Sequence, residues 1–163
     1  MEPFDLLTFV EMYKLNLPSF DFKLKQDAGR ALIFDENRKR FVKLNPEEWV
    51  RQHWLKTLVD HYACPMGRIS IEKELIYNNT KRRTDLLVYD EHAKPILLAE
   101  FKAPEVKISE SSFEQIGIYN TQLQVPWLLV SNGIEHRVFK LDVQLGNIRL
   151  VEELPHYSQL AQP

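Results

Sequence analysis

Two acids and a lysine carry the chemistry this sequence can do: Asp85, Glu100 and Lys102, all within the segment RRTDLLVYDEHAKPILLAEFKAP at residues 82–104. If residues 91–94 form a four-residue loop, Asp90 pairs with Pro95 and the numbers of paired residues add up to 185. Asp85 then faces Glu100 across the strand pair, and Arg83 faces Lys102. Because side chains alternate along a strand, Asp85, Glu100 and Lys102 share one face. Leu86, Val88, Leu97, Ala99 and Phe101 take the other, which marks these as central, buried strands.

Carboxylates directly across a strand pair lie roughly 5 Å apart between Cβ atoms. They repel unless a shared proton, a basic side chain or a bound cation neutralises them. Mg²⁺ takes one or two carboxylates and fills its shell with water and phosphate oxygens, which matches this supply. Metal-assisted phosphodiester hydrolysis needs an oriented water, a Lewis acid and a positive charge near the developing anion, and Lys102 supplies the charge. The plain alternative is a surface salt bridge from Lys102 or Arg83 to the acids. It is weakened because Glu100 ends the apolar run 95–99, where a charge without a purpose is costly.

The elements that must position these residues read as follows. Asn45 is an N-cap with Pro46 at the first helical position and Glu48 three residues after the cap. Val50, Trp54, Leu55, Leu58, Val59 and Tyr62 then form one apolar stripe, and the helix should stop before Pro65. Strands are expected over 68–76, 84–89 and 95–101. A second helix is expected from a Ser111/Glu114 capping box to about Gln124, followed by strands over 127–131 and 135–141 joined at Asn132-Gly133. Upstream, residues 30–44 read as a hairpin around Asp35-Glu36-Asn37. Residues 1–28 read as an arm packed on the core, and 155–163 as a loose tail. The expected order is α-β-β-β-α-β-β, an α/β mixed central sheet flanked by helices in one domain, with its core at about residues 40–142.

Composition sets limits on this reading. The 163 residues are 44% hydrophobic and 27% charged, ordinary for one globular domain. No run of 18 apolar residues exists, and the N-terminus carries acids where a signal peptide has basic residues, so no membrane partner is expected. The single cysteine, Cys64, suits a reducing, cytoplasmic setting and, like the five histidines, is read as structural rather than zinc-binding. The net charge of −2 does not itself point to nucleic acid, because duplex-binding proteins usually carry an excess of Lys and Arg. Positive charge is local, in Arg38-Lys39-Arg40, Lys43 and Lys81-Arg82-Arg83, and reads equally as solvated turns or as a phosphate-binding strip.

Taken in order, NPEEWVRQHWL (45–55), Arg83-Thr84-Asp85, AEFKAP (99–104), FEQIGIYN (113–120) and Ser131-Asn132-Gly133 resemble the N-terminal nuclease domain of the restriction subunit of type I restriction enzymes, within the PD-(D/E)xK nucleases. The resemblance implies a restriction-endonuclease-like core that hydrolyses DNA with Mg²⁺, for which Mn²⁺ would substitute. It makes Asp85 and Glu100 metal ligands, the Phe101 carbonyl a third, and Lys102 the catalytic lysine. The Gln-x-x-x-Tyr element falls on Gln115 and Tyr119, four residues apart on one helix face. Glu48 reads either as a further acid of the site or as the capping-box residue. Arg51 reads as a phosphate contact or as exposed, and Arg83 as a DNA contact.

Two features depart from that pattern. Thr84 stands where the superfamily has proline, and none of the five glycines belongs to a Gly-x-x-x-x-Gly-Lys-Ser/Thr motif. ATP-driven translocation is therefore not expected of this polypeptide, which would be a stand-alone relative or one part of a larger restriction or repair complex. The alternatives to a DNA endonuclease are a RecB-like exonuclease and a non-catalytic module that keeps the fold and binds nucleic acid or protein.

Overall fold

The computed structural model describes residues 6–142 and 144–162. In chain order the elements are α1 (Leu6–Met12), β1 (Leu24–Asp27), β2 (Arg30–Asp35), β3 (Arg40–Lys43), α2 (Pro46–Asp60), β4 (Ile69–Ile71), β5 (Glu74–Tyr77), β6 (Thr80–Arg83), β7 (Leu86–Tyr89), β8 (Pro95–Phe101), α3 (Glu110–Leu123), β9 (Trp127–Ser131), β10 (His136–Asp142), β11 (Asn147–Val151) and α4 (Tyr157–Leu160). None of the described helices is long and apolar enough to cross a membrane.

A six-stranded sheet in the order β11-β10-β9-β8-β7-β4 organises the molecule. Its neighbours are antiparallel except β8 and β9, and that parallel pair is joined by α3, because parallel strands need a crossover. β8 therefore runs through the middle and is buried from Ile96 to Phe101. On one face Leu86, Val88, Leu97, Ala99 and Phe101 pack with Val50, Trp54, Leu55 and Leu58 of α2. On the other, Leu87, Leu98 and Val130 pack with Ile116 and Tyr119 of α3. The mixed sheet between helices is the architecture the sequence implied.

The cap of α2 forms as its sequence indicates: Asn45 is extended (φ −138°) and its side chain accepts from the Glu48 N–H. The apolar stripe accounts for only half of the burial of α2. Trp49 points away from the main sheet and joins Phe9, Ala31, Ile33 and Leu44, so α2 is sandwiched between the main sheet and a second sheet, β1-β2-β3. The expected hairpin at 30–44 supplies β2 and β3. Its arm contributes β1, paired with β2 from Leu24↔Ile33 to Asp27↔Arg30. Residues 1–5 of the arm lie outside the described residues.

Several expectations need correction. The strand expected over 68–76 is broken at Glu72, whose φ of 54° takes it out of the extended region. β5 leaves the sheet and pairs only with β6, through the turn Asn78-Asn79, where both residues have positive φ. Asparagine tolerates that region, so the Asn-Asn pair was the overlooked hairpin signal. α3 starts two residues before the expected cap: Ser109 is the N-cap, and its N–H donates to the Ser112 hydroxyl at 3.5 Å, so the Ser111/Glu114 box does not form.

The C-terminal segment is not loose. After the unforeseen β11, Leu154 and Leu160 enter the α2-side core, Leu160 at 0% exposure, and the Tyr157 hydroxyl donates to the Tyr89 carbonyl at 2.9 Å. Pro163 lies outside the described residues. Leu160→Ala should lower the unfolding free energy in urea by about 3 kcal/mol, as deletion of a fully buried leucine does. A change below about 0.5 kcal/mol, the surface level, would restore the loose-tail reading.

Candidate active site

The β7–β8 ladder has the expected register over three pairs, Leu86↔Ala99, Leu87↔Leu98 and Val88↔Leu97. The register then slips: Tyr89, not Asp90, pairs with Pro95, and the extra residue is absorbed in a bulge. Asp90 instead closes the turn, its N–H on the Lys94 carbonyl at 2.8 Å. At the other end the ladder stops at Leu86. Asp85 lies one step beyond it, and its Oδ2 accepts from the Phe101 N–H at 2.6 Å. Arg83 does not face Lys102; it belongs to the β5–β6 ribbon, opposite Glu74.

Glu100 is the penultimate residue of buried β8 and is 2% exposed. Its Oε1 accepts from Lys102 Nζ at 3.0 Å and from Gln115 Nε2 at 2.5 Å, and Lys102 Nζ also donates to Gln115 Oε1 at 3.0 Å. Gln115 Nε2 further reaches the hydroxyl of buried Tyr119 at 3.4 Å. The Gln-x-x-x-Tyr pair thus sets the acid and the lysine in one plane of contacts. Glu100 Oε2 has no hydrogen-bond partner and is buried. Burial, and then the nearby Asp85 charge, push the Glu100 carboxyl up to about 8. Burial by itself would lower the Lys102 ammonium, but the Glu100 hydrogen bond and the charges of Glu100, Asp85 and Glu47 outweigh it and hold the ammonium above its ordinary value. These contacts favour the charged form of Lys102.

Glu48 and Arg51 occupy a different place from the one their sequence suggested. The Glu48 side chain does not return to the cap. Its Oε1 accepts from Arg38 Nη2 at 2.7 Å and Gln52 Nε2 at 2.8 Å, and its Oε2 bonds Arg51 Nη1. Both oxygens of Glu48 are thus engaged by Arg38, Gln52 and Arg51. Arg51 is neither exposed nor free for phosphate: at 5% exposure it bridges Glu48 to Asp85 Oδ1 (3.0 Å), with Glu47 at 3.5 Å. Arg38, one of the basic turn residues, also contacts Asp35 at 2.6 Å and Glu72 at 2.9 Å.

The acid on α2 that senses the site is Glu47, which the sequence reading passed over. Burial, then Asp85, raise its carboxyl, and its charge acts in turn on Glu100 and Lys102. The doublet Glu47-Glu48 was visible, but only the rotation of α2 decides which member turns to the sheet.

The remaining motif residues set the frame. Thr84 is fully buried and its N–H donates to the Lys73 carbonyl at 3.0 Å, a bond that proline at this position could not make. In Ser131-Asn132-Gly133, the Ser131 carbonyl receives the Lys102 N–H at 2.9 Å, and Asn132 Nδ2 reaches the Val106 carbonyl at 2.9 Å. These bonds tie down the segment after Lys102 from both ends. Cys64 is buried, its thiol pushed up to about 12 by burial, which leaves it inert.

Among the described residues no three His, Cys, Asp or Glu side chains close into a metal cage. A cation here would complete its shell from the backbone, water and substrate. The donor set of two carboxylates, one with an unpartnered buried oxygen, fits a hard divalent ion with that habit.

The structure is an α/β fold whose mixed sheet places two acids and a lysine at the end of its central strands. The chain belongs to the family of type I restriction enzyme R protein N-termini, whose model matches residues 46–155. A solved fragment of a candidate HsdR subunit of a type I restriction enzyme from Vibrio vulnificus superposes with a TM-score of 0.52 at 17% identity, over 72% of this chain and 24% of that one. That likeness shows a shared fold, and this chain spans about a quarter of the length of that fragment. A candidate nuclease of the DUF820 group from Anabaena variabilis superposes at a TM-score of 0.45 and 10% identity, over 82% of this chain and 86% of that one. No curated protein sequence matches the chain.

The raised Glu100 carboxyl has a definite consequence for stability. An acid whose folded value lies above its unfolded one binds more protons in the folded state, so its contribution falls as pH rises from about 4.5 to about 8. In metal-free protein, Glu100→Gln should therefore gain stability relative to wild type across that window, as read by urea unfolding at pH 5 and pH 8. An equal stability difference at the two pH values would contradict the assignment.

Proposed function

We propose that this chain is a metal-dependent nuclease domain that hydrolyses phosphodiester bonds in DNA as an endonuclease, within a restriction or repair complex. The observation that supports this most is the second carboxyl oxygen of Glu100, buried, without a partner and beside the Asp85 carboxylate. Such an oxygen either keeps a proton or receives a cation.

Asp85, Glu100 and the Phe101 carbonyl would hold Mg²⁺, or Mn²⁺ in its place, with Glu47 as the neighbouring acid on α2. When bound, the ion supplies Lewis acidity to a scissile phosphate oxygen and eases deprotonation of water. Asp85 enters this role already aimed, because the Phe101 N–H and Arg51 hold its two oxygens in one orientation. Gln115 binds Glu100 Oε1 and the Lys102 ammonium together, and Oε2 of Glu100 is left without a hydrogen-bond partner. Lys102 stays charged and stabilises the negative charge that grows on the phosphate during attack. Tyr119 and the Ser131-Asn132 contacts fix these groups in advance of substrate, so little reorganisation opposes the reaction.

Asp85→Asn retains an acceptor for the Phe101 N–H, and Lys102→Ala removes the ammonium together with its partly buried stem. Both should keep the fold by circular dichroism and lose at least about 100-fold in cleavage rate, the usual worth of a preorganised electrostatic group. Cleavage of a covalently closed circle by wild type supports the endonuclease reading, and cleavage of linear DNA alone would move the assignment to an exonuclease. Wild-type cutting rates in both variants would remove the proposal.

A further inference from the structure

The β5–β6 ribbon has no part in the chemistry above, yet its second strand ends only two residues before Asp85. It pairs with no other strand. Its base is fastened on both sides, by the Thr84 N–H to the Lys73 carbonyl at 3.0 Å and the Glu72 N–H to the Asp85 carbonyl at 3.2 Å. Along one face Leu75 packs into the core under α3, and Gln122 of α3 donates to the Ile76 carbonyl at 2.5 Å. The ribbon is thus held at a set angle to the site, with its other face left open.

That open face is basic. The cross-strand pairs Glu74↔Arg83 and Ile76↔Lys81 alternate with Leu75↔Arg82, so Arg83 and Lys81 point the same way. The side chains of Lys81 and Arg83 are 77% and 61% exposed. Each forms a long, exposed ion pair, Lys81 with Glu74 at 3.6 Å and Arg83 with Glu72 at 3.7 Å, and pairs of that kind contribute little and exchange readily for a phosphate. Residues 73–83 hold four cations, Lys73, Lys81, Arg82 and Arg83, against the one acid Glu74, in a chain whose net charge is −2. Positive charge is locally in excess on this ribbon, which leads directly into Asp85.

We propose that the β5–β6 ribbon is the arm that grips the duplex DNA backbone and delivers it to the Asp85–Glu100 site, with Lys81 and Arg83 on phosphates. This rests on the nuclease reading and adds to it a located binding surface. A two-stranded ribbon has the width to lie along a DNA groove. Phosphate contacts from its outer face supply affinity without sequence preference. The arrangement also explains how a chain with an acidic balance holds a polyanion.

The test measures binding of a fluorescent linear duplex by anisotropy, without metal, across a range of salt. The double variant Lys81→Glu/Arg83→Glu is compared with wild type and with Lys94→Glu/Arg149→Glu, an equal charge change at the opposite end of β8. The ribbon variant should bind at least tenfold more weakly, and its log–log salt slope should fall by about 2, since each phosphate contact contributes about 0.9. The comparator should stay near wild type, and circular dichroism should show all three folded. Wild-type affinity in the ribbon variant, or an equal loss in the comparator, overturns the ribbon assignment and leaves the nuclease reading standing. Failure of wild type to bind duplex at any salt overturns both.

Discussion

A carboxylate at the closed end of a fully apolar strand is the constraint on which this site depends. β8 runs through the centre of the sheet, covered by α2 on one face and α3 on the other, and Glu100 is buried where it ends. Burial of that kind disfavours charge, and the protein relieves only half of it: one oxygen has Lys102 and Gln115, the other has nothing. That oxygen either keeps a proton or, as proposed above, receives a cation. Asp85 makes the same demand sharper by adding a second negative charge nearby.

Around this centre the protein separates two jobs for its charged groups. The α2 network of Arg38, Glu48, Arg51, Gln52 and Asp35 is largely buried, and it locks α2 to the β2–β3 turn and to Glu72. Through Arg51 it also reaches Asp85 and so links the position of that acid to the packing of α2. Glu47, Asp85, Glu100 and Lys102 form the second group, which faces the end of the sheet. Adjacent residues of one helix, Glu47 and Glu48, serve the two groups separately.

Much of this was legible in the sequence because the decisive signals are local. Asn45-Pro46 fixes the start of α2, and the short loop before Pro95 fixes the β7–β8 register closely enough to bring Asp85 toward Glu100 despite a bulge. Membership of the R protein N-terminal family agrees with the ordered motifs that suggested it. What the sequence hid is long-range. Arg38 looks like a solvated turn residue until the turn is laid over α2, and Glu48 looks like a cap until Arg38 and Arg51 claim it. The tail looks polar at His156 to Gln159, yet its Leu160 enters the core beside Leu154, the residue just before the tail. The β5–β6 ribbon was hidden because its strands continue smoothly into neighbours, with only Asn78-Asn79 and Glu72 to break them.

The central claim is that the free oxygen of Glu100 and the Asp85 carboxylate converge on one cation. A crystal grown with Mn²⁺ and measured at the manganese edge tests this directly. The account predicts a single anomalous peak at coordination distance from Asp85, Glu100 Oε2 and the Phe101 carbonyl, absent from a Glu100→Gln crystal. A folded protein with no peak there, or with manganese bound only elsewhere, would contradict it.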